Sequence, residues 1–149
     1  MDNHIVRVNV WPTRLSPAEA ELRVVVRPQQ LTSTTQVHGR LMGPRCRYTS
    51  TVEVAYALRE SSREYEKEGE PCIGLRVIIP EPNFWEPQSP HLYEGSVELW
   101  QGRQLTDQRR IRHGLRVLSL SPGGLLCNGR PLVLRGADVG ASTCAREEF

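Results

Sequence analysis

Apolar and polar residues alternate with a period of two along most of the chain, which is the pattern of strands with one face buried and the other in water. From Glu21 to Arg27 the even positions Leu22, Val24 and Val26 are apolar, while Glu21, Arg23 and Arg27 fall on the polar side. Val6, Val8 and Val10 alternate with Arg7 and Asn9, and Val52, Val54, Tyr56 and Leu58 continue from Thr51 and Glu53 in the same parity. Leu75, Val77 and Ile79 flank Arg76, and Val97 and Leu99 flank Glu98. Less regular apolar stretches at 37–42 and 105–117 bring the expectation to about seven short strands. Short strands with one apolar face and frequent turns predict an all-β fold, a two-sheet antiparallel sandwich.

Two segments break the alternation. Residues 59–70 are nearly all polar and are expected to form a solvated hairpin loop or a short exposed helix. Residues 80–90 hold Pro80, Pro82, Pro87 and Pro90, which exclude a regular helix or central strand, so this stretch is expected to cross between sheets as an ordered loop. The Phe84-Trp85 pair within it needs a place to bury.

Composition narrows the picture without changing it. The 149 residues suffice for one domain with little to spare, and the 12 glycines and 11 prolines fit many turns between short elements. Lys67 is the only lysine, so arginine supplies 18 of the 19 basic residues, spread along the whole chain. The densest basic run, Arg109, Arg110, Arg112 and His113, contains no aromatic on which a base could stack, and no nucleic-acid partner is expected. The segment from Met1 to Arg7 lacks a basic stretch followed by an apolar one, so no secretory signal is expected and a soluble, cytoplasmic protein is favoured. No apolar run approaches the ~20 residues of a membrane-spanning helix, and no membrane partner is expected.

Candidate chemistry is sparse. Cys46, Cys72, Cys127 and Cys144 form no C-x-x-C pair, and His4, His38, His91 and His113 form no metal-binding spacing, so neither a metal nor another cofactor is expected. Glu60, Glu64, Glu66, Glu68 and Glu70 crowd the polar stretch, where water screens carboxylates and no pocket would make a catalytic pair of them. Glu147 and Glu148 lie at the chain end. No catalytic residue is assigned. Trp11 and Trp100 fall on the outward parity of their strands and are candidates for an interface or a sugar-stacking platform.

Three ordered motifs carry a resemblance. Trp85-Glu86-Pro87-Gln88-Ser89-Pro90-His91-Leu92-Tyr93 resembles the W-x-P-x-x-P-x-L-Y signature in the immunoglobulin-like sandwich domain of glycoside hydrolase family 2, which includes β-galactosidases, β-glucuronidases and β-mannosidases. His113-Gly114-Leu115-Arg116 is similar to the G-F-R that closes the last sandwich strand. The segment from Gly124 to Gly136, with Asn128, Gly129, Pro131, Arg135 and Gly136, resembles the F-x-x-N-G-x-P-x-x-x-R-G hairpin that leads into the first strand of the catalytic barrel. Where the family commonly reads R-G-V-N-x-H, this chain has Asp138 in place of the Asn and Gly140 in place of the His.

The resemblance implies an immunoglobulin-like β-sandwich over residues 1–120 and, over 121–149, a hairpin and the first strand of a truncated barrel. It implies a parent enzyme that hydrolyses O-glycosidic bonds with retention. A retaining site needs two carboxyl groups about 5 Å apart, and in the family both lie on later barrel strands. This chain alone is therefore expected to be inactive and to buttress the barrel. A free-standing carbohydrate- or protein-binding sandwich is the alternative. Leu132-Val133-Leu134 is expected to be disordered, packed back on the sandwich, or engaged in a homodimer, because an apolar strand without neighbours invites pairing.

Overall fold

The computed structural model describes residues 2–65 and 69–137. Its elements are β1 (Ile5–Leu15), β2 (Glu19–Pro28), β3 (Thr35–Arg45), β4 (Val54–Tyr65), β5 (Pro71–Pro80), β6 (Leu92–Gln101), β7 (Gln104–His113), β8 (Leu118–Ser121), β9 (Gly124–Cys127) and β10 (Arg130–Pro131). Contacts divide the chain into two compact units, Met1–Val117 and Leu118–Phe149. Among the described residues no helix is long and apolar enough to cross a membrane.

In the first unit the strands pair antiparallel in the order β1-β2-β5-β4-β3-β6-β7. The N-terminal half of β4, Val54 to Leu58, pairs with β3, and its C-terminal half, Arg59 to Tyr65, pairs with β5. A register shift between Glu60 and Ser62 marks a bulge, which bends a strand and lets one element serve two layers. The layers are then β1-β2-β5-β4 and β3-β6-β7, the strand arrangement of an immunoglobulin constant-type sandwich. The free edges of β1 and β7 meet: Ile5 N donates to Asp107 Oδ2 at 2.8 Å, and Arg109 donates to Ile5 O at 2.8 Å.

Leu22, Val24 and Val26 of β2 pack with Ile73, Leu75 and Val77 of β5 on one side of the core, and with Leu41, Val97 and Leu99 of β3 and β6 on the other. Of these, Leu22, Val24, Val26, Leu75, Val77, Val97 and Leu99 are positions that the period-two pattern assigns inward. Elsewhere the structure corrects it. Ile5 is fully buried while Val6 is 44% exposed, because a register shift between Ile5 and Arg7 changes the parity before Val8 and Val10 turn inward. Val52 precedes β4 and is 86% exposed, and Val54 is exposed as well, so of that run only Leu58 is buried. The polar stretch from Arg59 is neither loop nor helix as far as Tyr65 but the continuation of β4. Its backbone pairs only with β5 there, and a strand at a sheet edge tolerates polar side chains that a central strand would not.

The second unit contains a small antiparallel sheet, β8-β9-β10. Ser121 pairs with Gly124 across a two-residue connection, and Cys127 pairs with Arg130 across Asn128-Gly129. Asn128 and Gly129 have φ of 53° and 79°, the left-handed pair that a two-residue type I′ hairpin turn requires.

Candidate sandwich-exit site

The segment between β5 and β6 closes one end of the sandwich. It leaves β5 through Glu81, whose φ is 45° and whose N–H donates to Ala18 O at 2.8 Å. Pro82 is buried, and Phe84 packs against the core. Tyr93, near the start of β6, is fully buried and turns its hydroxyl back to accept the Asn83 N–H at 3.0 Å. A tyrosine at this corner bonding to the backbone a few residues upstream is a known brace of immunoglobulin-like sandwiches. Its ring meets Tyr56 edge-on at 6.3 Å between centroids. His91 Nδ1 lies 3.3 Å from Phe84 O, close enough to donate to it and so tie the loop end to its middle.

Trp85 forms an isolated bridge with Pro90, and between them Glu86 and Ser89 exchange backbone hydrogen bonds at 3.1 and 3.0 Å. Pro87 thus stiffens the tip of a tight four-residue turn. On its other side Trp85 N donates to Leu115 O at 2.7 Å, just beyond the end of β7. The Trp85 side chain lies so close to Gly114 that a Cβ there would sit 3.0 to 3.1 Å from three of its carbons, so a larger residue would have to push the indole aside. Arg116 places its guanidinium 5.1 Å from the indole centroid, a cation–π contact. Leu115, between these two, is fully buried.

The fold therefore unites the first two motifs. Trp85, Pro87, Pro90, Leu92 and Tyr93 supply the loop and the strand it enters, and Gly114 and Arg116 supply the segment by which the chain leaves β7. Sequence reading missed Asn83, which donates to Tyr93, and named His113 within its motif without its place opposite Tyr93 in the β6–β7 register. The available signal was a tyrosine opening a strand directly after a proline-rich crossover. His113 is held below the ordinary histidine value of 6.5, chiefly by burial and secondarily by the charge of Arg116.

The third motif belongs to the second unit. Asn128 and Gly129 form the β9–β10 turn, Pro131 lies in β10, and Leu132 N donates to Leu125 O at 2.9 Å. Leu132, Val133 and Leu134 belong to no strand, and Val133 and Leu134 are 79% and 73% exposed. Arg135 and Gly136 are exposed, whereas Asp138, Gly140, Cys144, Glu147 and Glu148 lie outside the described residues. Trp11 lies on β1 and Trp100 on β6, on the outer sides of opposite layers, so the two do not share one platform. Trp100 Nε1 donates to Glu98 Oε2 at 3.0 Å, and the ring meets His38 edge-on.

Among the described residues, no group of three or more His, Cys, Asp or Glu side chains is arranged to hold a metal. Glu60 pairs with Arg63, and Glu70 with Arg27. What the arrangement at the sandwich end offers is mechanical: a loop and an exit segment locked by one indole.

Comparison with known proteins follows the same boundaries. The sequence model of Glycosyl hydrolases family 2 matches residues 3–116. A β-galactosidase of Psychromonas ingrahamii is 33% identical over 64 residues, 42% of this chain and 6% of the relative. One of Klebsiella pneumoniae is 29% identical over 66 residues, 44% of this chain and again 6% of the relative. The chain thus spans about 6% of the length of these curated relatives. Among solved structures, a Bifidobacterium dentium β-glucuronidase superposes with a TM-score of 0.60 at 19% identity, covering 87% of this chain and 20% of its own. A Bacteroides vulgatus β-glycosidase does so with a TM-score of 0.60 at 18% identity, covering 88% and 16%. At such identity these two superpositions speak for the fold.

Proposed function

The chain belongs to glycosyl hydrolases family 2, and from that premise we propose that it is a non-catalytic sandwich that buttresses and aims a catalytic barrel in a longer parent enzyme. The observation that carries this reading is the lock of Trp85 on Gly114, Leu115 and Arg116, which fixes the direction in which the chain leaves β7. A barrel in the longer parent would follow an exit segment anchored on the sandwich by Trp85. The parent's reaction would be retaining hydrolysis of an O-glycosidic bond, a chemistry that requires two carboxyl groups on a rigid scaffold. Residues 121–149 would be the hairpin and first barrel strand, with 1–120 the supporting domain. A cytoplasmic location belongs to the same proposal.

The discriminating assay uses aryl β-galactosides, β-glucuronides and β-mannosides with the purified chain. No turnover above background is expected, and hydrolysis of any of them would overturn the reading. Sequencing the gene downstream of Phe149 separates the supporting role from a free-standing binding module: a further open reading frame with alternating strands and helices favours the former, an immediate stop the latter. The high exposure of Val133 and Leu134 supports a second, weaker association, a homodimer through this apolar segment. Sedimentation of the chain beside a Val133→Asp variant tests it, with loss of dimer expected in the variant. A carbohydrate-binding role would need a stacking platform, and Trp11 and Trp100, on opposite layers, supply no joint one.

A further inference from the structure

Residues opposite one another in the register form a single row across the outer face of the β1-β2-β5-β4 layer: Trp11 faces Arg23, Arg23 faces Arg76, and Arg76 faces Arg59. Their sequence neighbours Leu22, Val24, Leu75, Val77 and Leu58 are buried, so the row points away from the core. Adjacent strands lie about 4.8 Å apart, which places three guanidinium-bearing positions within about 10 Å. Like charges directly opposite each other destabilise a sheet. The surroundings do little to offset them. Glu21 accepts from Arg76 at 3.0 Å and also from Arg14 at 3.1 Å, so one carboxylate serves two guanidiniums. Among the described residues Arg23 donates to the Ser62 hydroxyl, at 3.3 Å, with no carboxylate partner, and no ion pair joins Arg59 to a carboxylate. At the end of the row the Trp11 side chain is 40% exposed, with Ile78 exposed on the same face.

We propose that this row is a docking surface for a carboxylate-rich polypeptide surface, in which Trp11 is the apolar anchor and Arg23, Arg76 and Arg59 receive acidic side chains. The proposal stands apart from the supporting role argued above and does not depend on it. Charge complementarity selects the partner: planar guanidiniums bind carboxylates in bidentate fashion, and a covered anion would relieve the repulsion along the row. Trp and Arg are also the side chains that most often anchor protein interfaces. A nucleic acid fits less well, because the one aromatic stands at the end of the row and none is interleaved among the arginines to stack successive bases.

The test titrates the full chain with short poly-L-glutamate, following tryptophan fluorescence and heat. Saturable binding is expected, weakened about fivefold or more by Trp11→Ala and by Arg59→Gln, the loss typical of an anchoring interface residue. Exchanging Arg110 and Arg112 for Gln on the other layer should leave it unchanged. Arg59→Gln should keep or raise the melting temperature, since it removes a like charge from the row. The proposal is overturned by absence of saturable binding, by an equal loss on changing Arg110 and Arg112, by tighter binding of oligothymidylate through the same arginines, or by a lowered melting temperature in Arg59→Gln.

Discussion

Tyr93 and His113 face each other across β6 and β7, and each ties a local contact to a measurable property. The Tyr93 hydroxyl is the acceptor for the Asn83 N–H at the turn of the crossover. Tyr93→Phe keeps the buried ring and removes only that acceptor, so it should cost about 1 kcal/mol of unfolding free energy, read as a lower urea midpoint with unchanged slope. His113 answers to pH. Burial, with Arg116 nearby, depresses its proton affinity in the folded state, whereas the unfolded imidazole takes a proton near 6.5. Below that value the unfolded state binds more protons, and folding loses stability as the pH falls toward the depressed folded value. The melting temperature is expected to be level above about pH 7.5 and to decline toward pH 5.5. His113→Gln should flatten the decline in that window. An equally steep decline in the variant would assign the effect to other groups.

At the level of elements, the pairing of β3 with β6 depends on Gly95. A Cβ on Gly95 would land inside the van der Waals envelope of the Arg40 carbonyl oxygen, a backbone atom that cannot move without breaking the β3–β6 ladder. Gly95→Ala is therefore expected to cost about 3 kcal/mol, the upper range for overpacking, or to prevent folding. Circular dichroism and thermal melting would show it, and a variant as stable as the parent would show that the strands can separate. This requirement was invisible in the sequence, where Gly95 reads as a weak point in a strand. Strand parity in β2 and β5 was legible because the ladder they share carries no register shift. Parity misled at Val6 and Val54, since bulges and strand ends follow from pairing with a distant partner and leave no local mark. The same holds for the site: its motif residues could be read along the chain as spaced signatures. That Trp85 would meet Gly114 and Arg116 depended on β6 and β7 pairing first.

Over the whole molecule, the question is whether the part that follows β7 contributes to the stability of the part that precedes it. The buried cluster draws every member from Ile5 through Leu115, and Leu115 is itself fixed by the Trp85 hydrogen bond to its carbonyl. The contact division falls two residues later, between Val117 and Leu118. Among the described residues of the second unit, Leu118 and Leu120 of β8 are largely exposed, and Cys127 alone is buried. A unit with so little buried apolar area contributes little of the free energy that resists unfolding. A chain ending at Val117 retains Trp85, Gly114, Leu115 and Arg116, hence the whole lock. Its melting temperature should therefore stay within about 3 °C of the full chain's, which corresponds to less than about 1 kcal/mol at this size. A chain ending at His113 loses Leu115 from the core and the acceptor for Trp85, and should melt far lower. The comparison decides where the supporting domain ends: equal losses in both truncations would place residues after Val117 within its cooperative unit, and a loss confined to the shorter chain would set the boundary at the lock.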